Sequence, residues 1–324
     1  MQKIQLIIII FFLSCSSKPK SIGVLNEILV LVSPEDKDFI EPIFLYLFDE
    51  IIYTPQEEKV FDLKYINPWS LNNIKYHGNI VFASLDFPED STGDILANKI
   101  LLQNKESSNI IVLGDLYSNN QIFSVFTGLD ALDLQNSIQN NKQWILDQYY
   151  SLLENRIKNE LYNNGKNEIL SKEIMSVLGY SIDLQVDFQL IKSDSTSLFV
   201  WVGRGYPYRW ITLHKTAKNN YLNIENAWKN LKISMDTLMP DVVVSEYFRS
   251  NNRIVYEEDR IPVMRGIYEH PESETGGPFF VYIFETEEMN EVILISGFVN
   301  YPGHEKILLL KQLEVMAKTL YKEE

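Results

Sequence analysis

The chain alternates short apolar runs with stretches of helical spacing, after an opening of a different kind. Met1 to Lys3 is a short basic start, and Ile4 to Leu13 is an unbroken apolar run closed by Ser14-Cys15. Such a run is about half the ~20 residues that a membrane-crossing helix needs. Residues 27–32 (EILVLV) are apolar and bounded by polar residues, which predicts a buried strand. Ser33-Pro34-Glu35-Asp36 then supplies a cap, a proline suited to the first helical turn, and two acids at the positive dipole end. Phe39, Ile43, Leu47 and Ile51, four apart, predict the apolar face of that helix. Residues 60–66, 79–85 and 109–113 predict further strands. From about Gln121 to Leu178 the spacing turns helical. Trp144, Tyr149, Leu152, Leu153, Arg156, Ile157 and Leu161 mark a long amphipathic helix that Gly165 closes, and residues 168–178 form a second one that stops at Gly179.

The second half repeats the theme. Residues 180–191 and 197–202 predict a hairpin around the polar turn Lys192-Ser193-Asp194-Ser195. Residues 210–214, 253–256, 263–268, 279–284 and 292–300 predict strands. Residues 224–238, with Ala227, Leu231 and Leu238 apolar and Pro240 beyond the end, predict a helix, and 305–321 the last one. The fold class implied is α+β: two α/β-layered halves with mixed or antiparallel sheets and packed helices. The expected division is 1–14 as an export signal, 15–22 as a tether, 23–179 as the first half and 180–324 as the second.

Composition narrows the function classes. The 324 residues are 45% hydrophobic, 12% aromatic and 23% charged, which is globular. A net charge of −15 disfavours nucleic acid and broad contact with anionic headgroups, since both depend on Lys and Arg neutralising phosphate. One cysteine permits neither an internal disulfide nor a thiolate metal cluster. The basic start, apolar run and Cys15 resemble the signal of a bacterial lipoprotein, a family in which that cysteine is diacylated and becomes the first residue. The family usually has Leu three positions before the cysteine and a small residue two before; here stand Phe12 and Leu13, with Ser14 regular. The resemblance implies lipidation at Cys15 and a membrane partner through the N-terminal lipid, in the bacterial cell envelope. Residues 16–21 (SSKPKS) lack the acidic run of surface-exported lipoproteins, which implies an outer-membrane anchor facing the periplasm. A plain signal peptide with an incidental cysteine is the competing reading.

Candidate chemistry is sparse. His77, His214, His270 and His304 never stand three or four residues apart. In His270-Pro271-Glu272-Ser273-Glu274 an imidazole and two carboxylates come together, but the proline and the following Gly276-Gly277 read better as a turn with solvated acids. No Gly-x-Ser-x-Gly elbow is present, and Gly203-Arg204-Gly205 lacks the rest of a phosphate loop. The acid runs Glu57-Glu58, Glu257-Glu258-Asp259 and Glu287-Glu288 read as loop charge, because glycosidase carboxylates come from separate strands. No catalytic residue, metal ligand or cofactor is therefore expected. Gly205-Tyr206-Pro207-Tyr208-Arg209-Trp210 is the richer stretch: Tyr206, Tyr208 and Trp210 form either an exposed platform for a sugar, peptide or protein, or a strand end with half-buried rings.

Arg265-Gly266-Ile267-Tyr268, Gly276-Gly277-Pro278-Phe279, Tyr282, Gly297-Phe298-Val299 and Tyr301-Pro302-Gly303 resemble a family of unknown function, DUF4837. Phe61-Asp62-Leu63 and the helix after the first strand extend the likeness over nearly all of the chain beyond Cys15. The family consists of Bacteroidetes lipoproteins of about this length, so the resemblance implies envelope location and carries no activity. Gly276-Gly277-Pro278 is expected as a turn feeding a strand, and Gly297 as a bulge or a close approach of backbone. The surface between Arg265, Gly276, Gly277 and Gly297 joins the aromatic stretch as a candidate binding surface. The function expected is that of an envelope binding or scaffold lipoprotein with a protein or glycan partner; the alternative is a periplasmic hydrolase of an envelope polymer.

Overall fold

A computed structural model describes residues 18–87, 91–104, 109–257 and 259–322. Cys15 and the apolar run before it lie outside the described residues. The first half holds β1 (Glu27–Leu31), α1 (Pro34–Leu47), the hairpin β2 (Ile51–Tyr53) and β3 (Glu57–Lys59), β4 (Asp62–Ile66), the single turn α2 (Leu71–Ile74), β5 (Asn79–Leu85), α3 (Ser91–Asn104), β6 (Ile110–Gly114), β7 (Ile122–Gly128), α4 (Ala131–Leu161) and α5 (Glu168–Leu178). Its main sheet has the order β4-β1-β5-β7-β6, parallel except for β6. The second half holds β8 (Gln189–Asp194), β9 (Phe199–Arg204), β10 (Tyr208–Ala217), α6 (Ile224–Leu238), β11 (Val243–Tyr256), β12 (Asp259–His270), β13 (Thr275–Glu285), β14 (Glu291–Asn300) and α7 (Ile307–Ala317). These strands form one antiparallel sheet, β11-β12-β13-β14-β10-β9-β8. The fold is α+β, as the pattern implied.

Each sheet is covered on both faces, and the helices between them are shared. α1 and α4 pack on one face of the mixed sheet and α3 on the other. α7 packs on β14, β10 and β13 of the antiparallel sheet and also on α4, so one apolar cluster runs through both halves. The far face of the antiparallel sheet is covered by α6. Strands buried on both faces read as continuous apolar runs, which is why β13 and β14 are legible without strict alternation. Among the described residues no helix is long and apolar enough to cross a membrane.

One carboxylate ties the halves together. Glu58 on β3 is buried, and its Oε2 accepts from the backbone N–H groups of Lys306 and Ile307 at 2.7 Å each. Thr54 donates its hydroxyl to the other oxygen. The first turn of α7 is thus capped by a residue some 250 positions earlier, where no local cap exists. Glu58 is structural, not the loop charge its neighbour Glu57 suggested.

The structure corrects the expected elements in several places. The apolar face of α1 is Ile40, Ile43, Phe44 and Leu47, whereas Phe39 is exposed and Ile51 lies beyond the helix in β2. Asp36 shares that buried face, its Oδ2 accepting from Leu85 N–H at 3.0 Å. Residues 122–128, expected as helix, are β7, an interior strand between β5 and β6. Its polar residues are committed inwards: Ser124 Oγ bonds Tyr149 Oη at 2.8 Å, and Gln121 just before it donates to the Lys75 and His77 carbonyls at 2.7 and 2.8 Å. α3 has no counterpart among the expected elements, and residues 180–188 contribute no strand to the β8–β9 hairpin. Gly276-Gly277-Pro278 is no turn. It lies in β13, paired in register with Glu269, Tyr268 and Ile267, and the turn is made earlier by Pro271–Ser273 and Glu274.

Candidate functional site

β10 separates its side chains by parity onto the two faces of the sheet. Arg209, Ile211 and Leu213 point towards α7, with Arg209 donating to Gln312 on that helix. Tyr208, Trp210, Thr212 and His214 point towards α6. The C-terminal half of α6 reaches only part of that strand, where Met235 and Leu238 close over Thr212 and His214. Burial there holds the His214 imidazole below its ordinary pKa. Towards the β9–β10 turn the helix no longer covers the sheet, and the rings there reach solvent.

Those rings form a continuous row. Trp210 meets Trp201 edge-on at 6.0 Å and Tyr208 at 6.4 Å, and it rests on buried Tyr268 at 5.8 Å. Tyr206 continues the row, 5.8 Å from Tyr208 and 5.3 Å from Tyr301. His304 ends it, stacked on Tyr301 at 4.2 Å. Tyr206 is 58% exposed and Tyr208 44%, so two rings at the centre of the row present their surfaces to solvent. Two buried polar atoms beside the row have no hydrogen-bond partner: the Trp201 indole Nε1 and Asn300 Oδ1. Asn300 is fixed by its amide, which donates to Thr275 Oγ1 at 3.1 Å.

The turn carrying Tyr301 and His304 has a second side. Pro302, Gly303 and Lys306 there face Pro55 and Gln56 from the β2–β3 turn and Thr275 from β13, enclosing a cleft of about 380 Å³ between the two halves. Thr54 and Lys306, both bonded to Glu58, line this cleft, so the contact that joins the halves lies at its wall. Row and cleft thus share one wall.

The other residues expected at a binding surface lie elsewhere. Arg265 sits beneath α7, ion-paired with Glu314. Gly297 is covered by the Phe280 ring, which is closer than a Cβ would allow, and by Leu313 of α7, which would stand 3.1 Å from it; there is no register shift at that strand pair, so the close approach is by side chains and not by a bulge. Gly277 is buried against the Val299 carbonyl, while Gly276 lines the cleft. Trp201, Asn300, Tyr301 and His304 join the site without being expected there. Trp201 lies on the Trp210 face by strand parity once their register is known, and the Tyr301-Pro302-Gly303 turn is visible in sequence only as a motif. Among the described residues no group of three or more His, Cys, Asp or Glu is placed to hold a metal ion.

Residues 167–319 match the model of DUF4837, a domain of unknown function. That match covers nearly all of the second half of the chain. Residues 21–161 match a different model, DUF8532, also a domain of unknown function, so the DUF4837 likeness does not extend over the first half. No curated protein matches the chain. Solved structures give distant similarity. A Bacteroides thetaiotaomicron VPI-5482 protein, at 1.50 Å, is 11% identical with a TM-score of 0.28, over 45% of either chain. The Saccharomyces cerevisiae Ran-binding protein Mog1p is 8% identical with a TM-score of 0.32, over 44% of this chain and 90% of its own. A point mutant of protein Mog1 gives the same values. The aromatic row lies wholly within the DUF4837 half.

Proposed function

We propose that this is a lipid-anchored bacterial envelope protein whose DUF4837 half binds a glycan through the aromatic row and the adjoining cleft. The observation that carries the reading is the pair of solvent-facing tyrosines, Tyr206 and Tyr208, held in a row of packed rings. Rings fixed by neighbours lose little entropy on contact, and their faces suit the C–H face of a sugar. The rim of the adjoining cleft, with Thr54, Gln56, Thr275 and Lys306, adds the directional groups that hydroxyls need. Together they give stacking plus orientation, the usual make-up of a selective site.

The test is retention of the protein on purified envelope polysaccharide. Tyr206→Ala and Tyr208→Ala are each expected to weaken binding by about 1–2 kcal/mol, as for exposed aromatic anchors. Both positions are exposed enough that stability changes by no more than about 0.5 kcal/mol. Equal retention of both variants and the parent would sink the reading. Capture of a protein instead, lost in the same two variants, would reassign the row to a protein partner.

Membrane attachment is proposed through Cys15, on the resemblance of residues 1–15 to a lipoprotein signal. In cells fed labelled palmitate the parent is expected to take up label and sediment with membranes, because multiple acyl chains hold firmly. Cys15→Ala should lose essentially all label and appear in the soluble fraction. Equal labelling of the variant would refute the assignment.

A further inference from the structure

Arg156 is the one long side chain on the buried face of α4 that carries a charge. It is 6% exposed. Its Nη2 donates to the neutral amide oxygen of Asn79, and its Nε has no partner. The guanidinium lies against the backbone at Gly78, where a Cβ would come within 2.0 Å of Nη1. Glu160, one turn further along α4, acts on it only at a distance, and burial lowers its pKa to about 10. A buried cation without an adjacent counter-charge is costly, and one that lines a cleft is a candidate site for an anion that pairs it.

Arg156 opens on a pocket of about 150 Å³, lined also by Lys20, Ser21, Asn120, Asn159 and Glu160. That is the space of about five waters, enough for a phosphate and the start of its ester. One wall is the first described segment of the chain. Residues 18–24 lie as a strap across the molecule, with Ser21 N–H bonded to the Asn119 carbonyl at 3.0 Å and Gly78 N–H to the Ile22 carbonyl at 2.9 Å. Lys20 is five residues from Cys15, a reach of at most about 18 Å.

We propose that this pocket binds a phosphate group. Arg156 is its deep fixed charge and Lys20 its outer one; Ser21, Asn120 and Asn159 supply neutral hydrogen bonds. Glu160 trims the pocket to one net positive charge, which favours a single phosphate over a polyanion. The group is either the headgroup of a phospholipid or a free phosphate ester. Only the first source rests on the anchoring at Cys15 proposed above.

The test uses the full chain in non-ionic detergent, titrated calorimetrically with inorganic phosphate. Saturable one-to-one binding is expected. Lys20→Ala should weaken it about fivefold and Glu160→Gln tighten it about threefold, in line with partly screened charges. Arg156→Gln should abolish it, but because that side chain is buried the two surface variants decide the outcome. No saturable binding, or binding indifferent to both surface variants, overturns the proposal. Hydrogen exchange of residues 18–25 then distinguishes the sources in phosphatidylcholine vesicles with or without phosphatidylglycerol. Slower exchange with phosphatidylglycerol assigns the headgroup, slower exchange only with added inorganic phosphate assigns the free ester, and no slowing in either overturns the site. Intact mass reports lipidation of Cys15 separately, so an unlipidated protein that still binds phosphate removes the anchor alone.

Discussion

Replacing Arg265 by alanine is expected to destabilise the protein by about 3–5 kcal/mol, the cost of stripping one partner from a buried ion pair. Arg265 on β12 pairs with Glu314 on α7, and Lys311 reaches the other carboxylate oxygen at 3.1 Å. The Tyr282 hydroxyl sits against the same carboxylate. All this lies where α7 is pressed between the antiparallel sheet and α4, and Glu314 is only 3% exposed. Without Arg265 the carboxylate keeps one ammonium on its own helix and the Tyr282 hydroxyl, and loses its ion pair across the interface. Urea unfolding of the full chain measures the effect. The double variant Arg265→Met/Glu314→Leu should recover most of the loss, because matched apolar groups escape the desolvation cost. If the double variant is no more stable than the single one, the loss comes from packing and not from the orphaned charge.

The same pair predicts the acid limb of stability. Burial alone would raise the Glu314 pKa, but Arg265 and Lys311 outweigh it and hold the carboxyl at about 2. A folded-state value below the unfolded one of 4.5 contributes stability that is complete above pH 4.5 and lost as pH falls towards 2. The contribution is on the order of 3 kcal/mol. In Arg265→Ala the main opposing charge is gone, burial acts with less to counter it, and acid unfolding should begin at a higher pH than in the parent.

How much is legible in the sequence depends on whether the deciding partner is local. α6 is expected at its observed ends because its signals all lie close together: the apolar positions Ala227, Leu231 and Leu238, and Pro240 beyond the last turn. β7 reads as helix because Gln121 and Ser124 interrupt its apolar run, and their reason is a carbonyl pair at Lys75 and His77 and a hydroxyl at Tyr149. Arg265 stands out in sequence as part of a surface motif, yet its partner is 49 residues away on a helix that folds over it. Tyr206, Tyr208 and Trp210 are legible because glycine, proline and alternating aromatics mark a strand end. Tyr301 and His304 are not, since they reach the row only when β14 pairs with β10.

Gly277→Ala tests the reading of that glycine as a close backbone approach, and a loss of about 3 kcal/mol is expected from overpacking that cannot relax. Its added Cβ would stand 1.9 Å from the Val299 carbonyl oxygen, an atom of β14 and not the end of a flexible side chain. The same oxygen accepts from the buried Tyr268 hydroxyl at 3.3 Å, so pushing it aside disturbs a second contact. Relief requires β13 and β14 to part at the end of the sheet that carries Asn300, Tyr301 and the cleft. Weakened glycan retention should therefore accompany the lost stability, although Gly277 touches neither tyrosine of the row. Gly205→Ala is the control, because no atom lies within 4 Å of its added Cβ, and a change under about 0.5 kcal/mol is expected there. Thermal unfolding of the two variants beside the parent separates the outcomes. If Gly277→Ala unfolds with Gly205→Ala, β13 and β14 are not packed as tightly as their register implies, and the wall shared by row and cleft is not rigid.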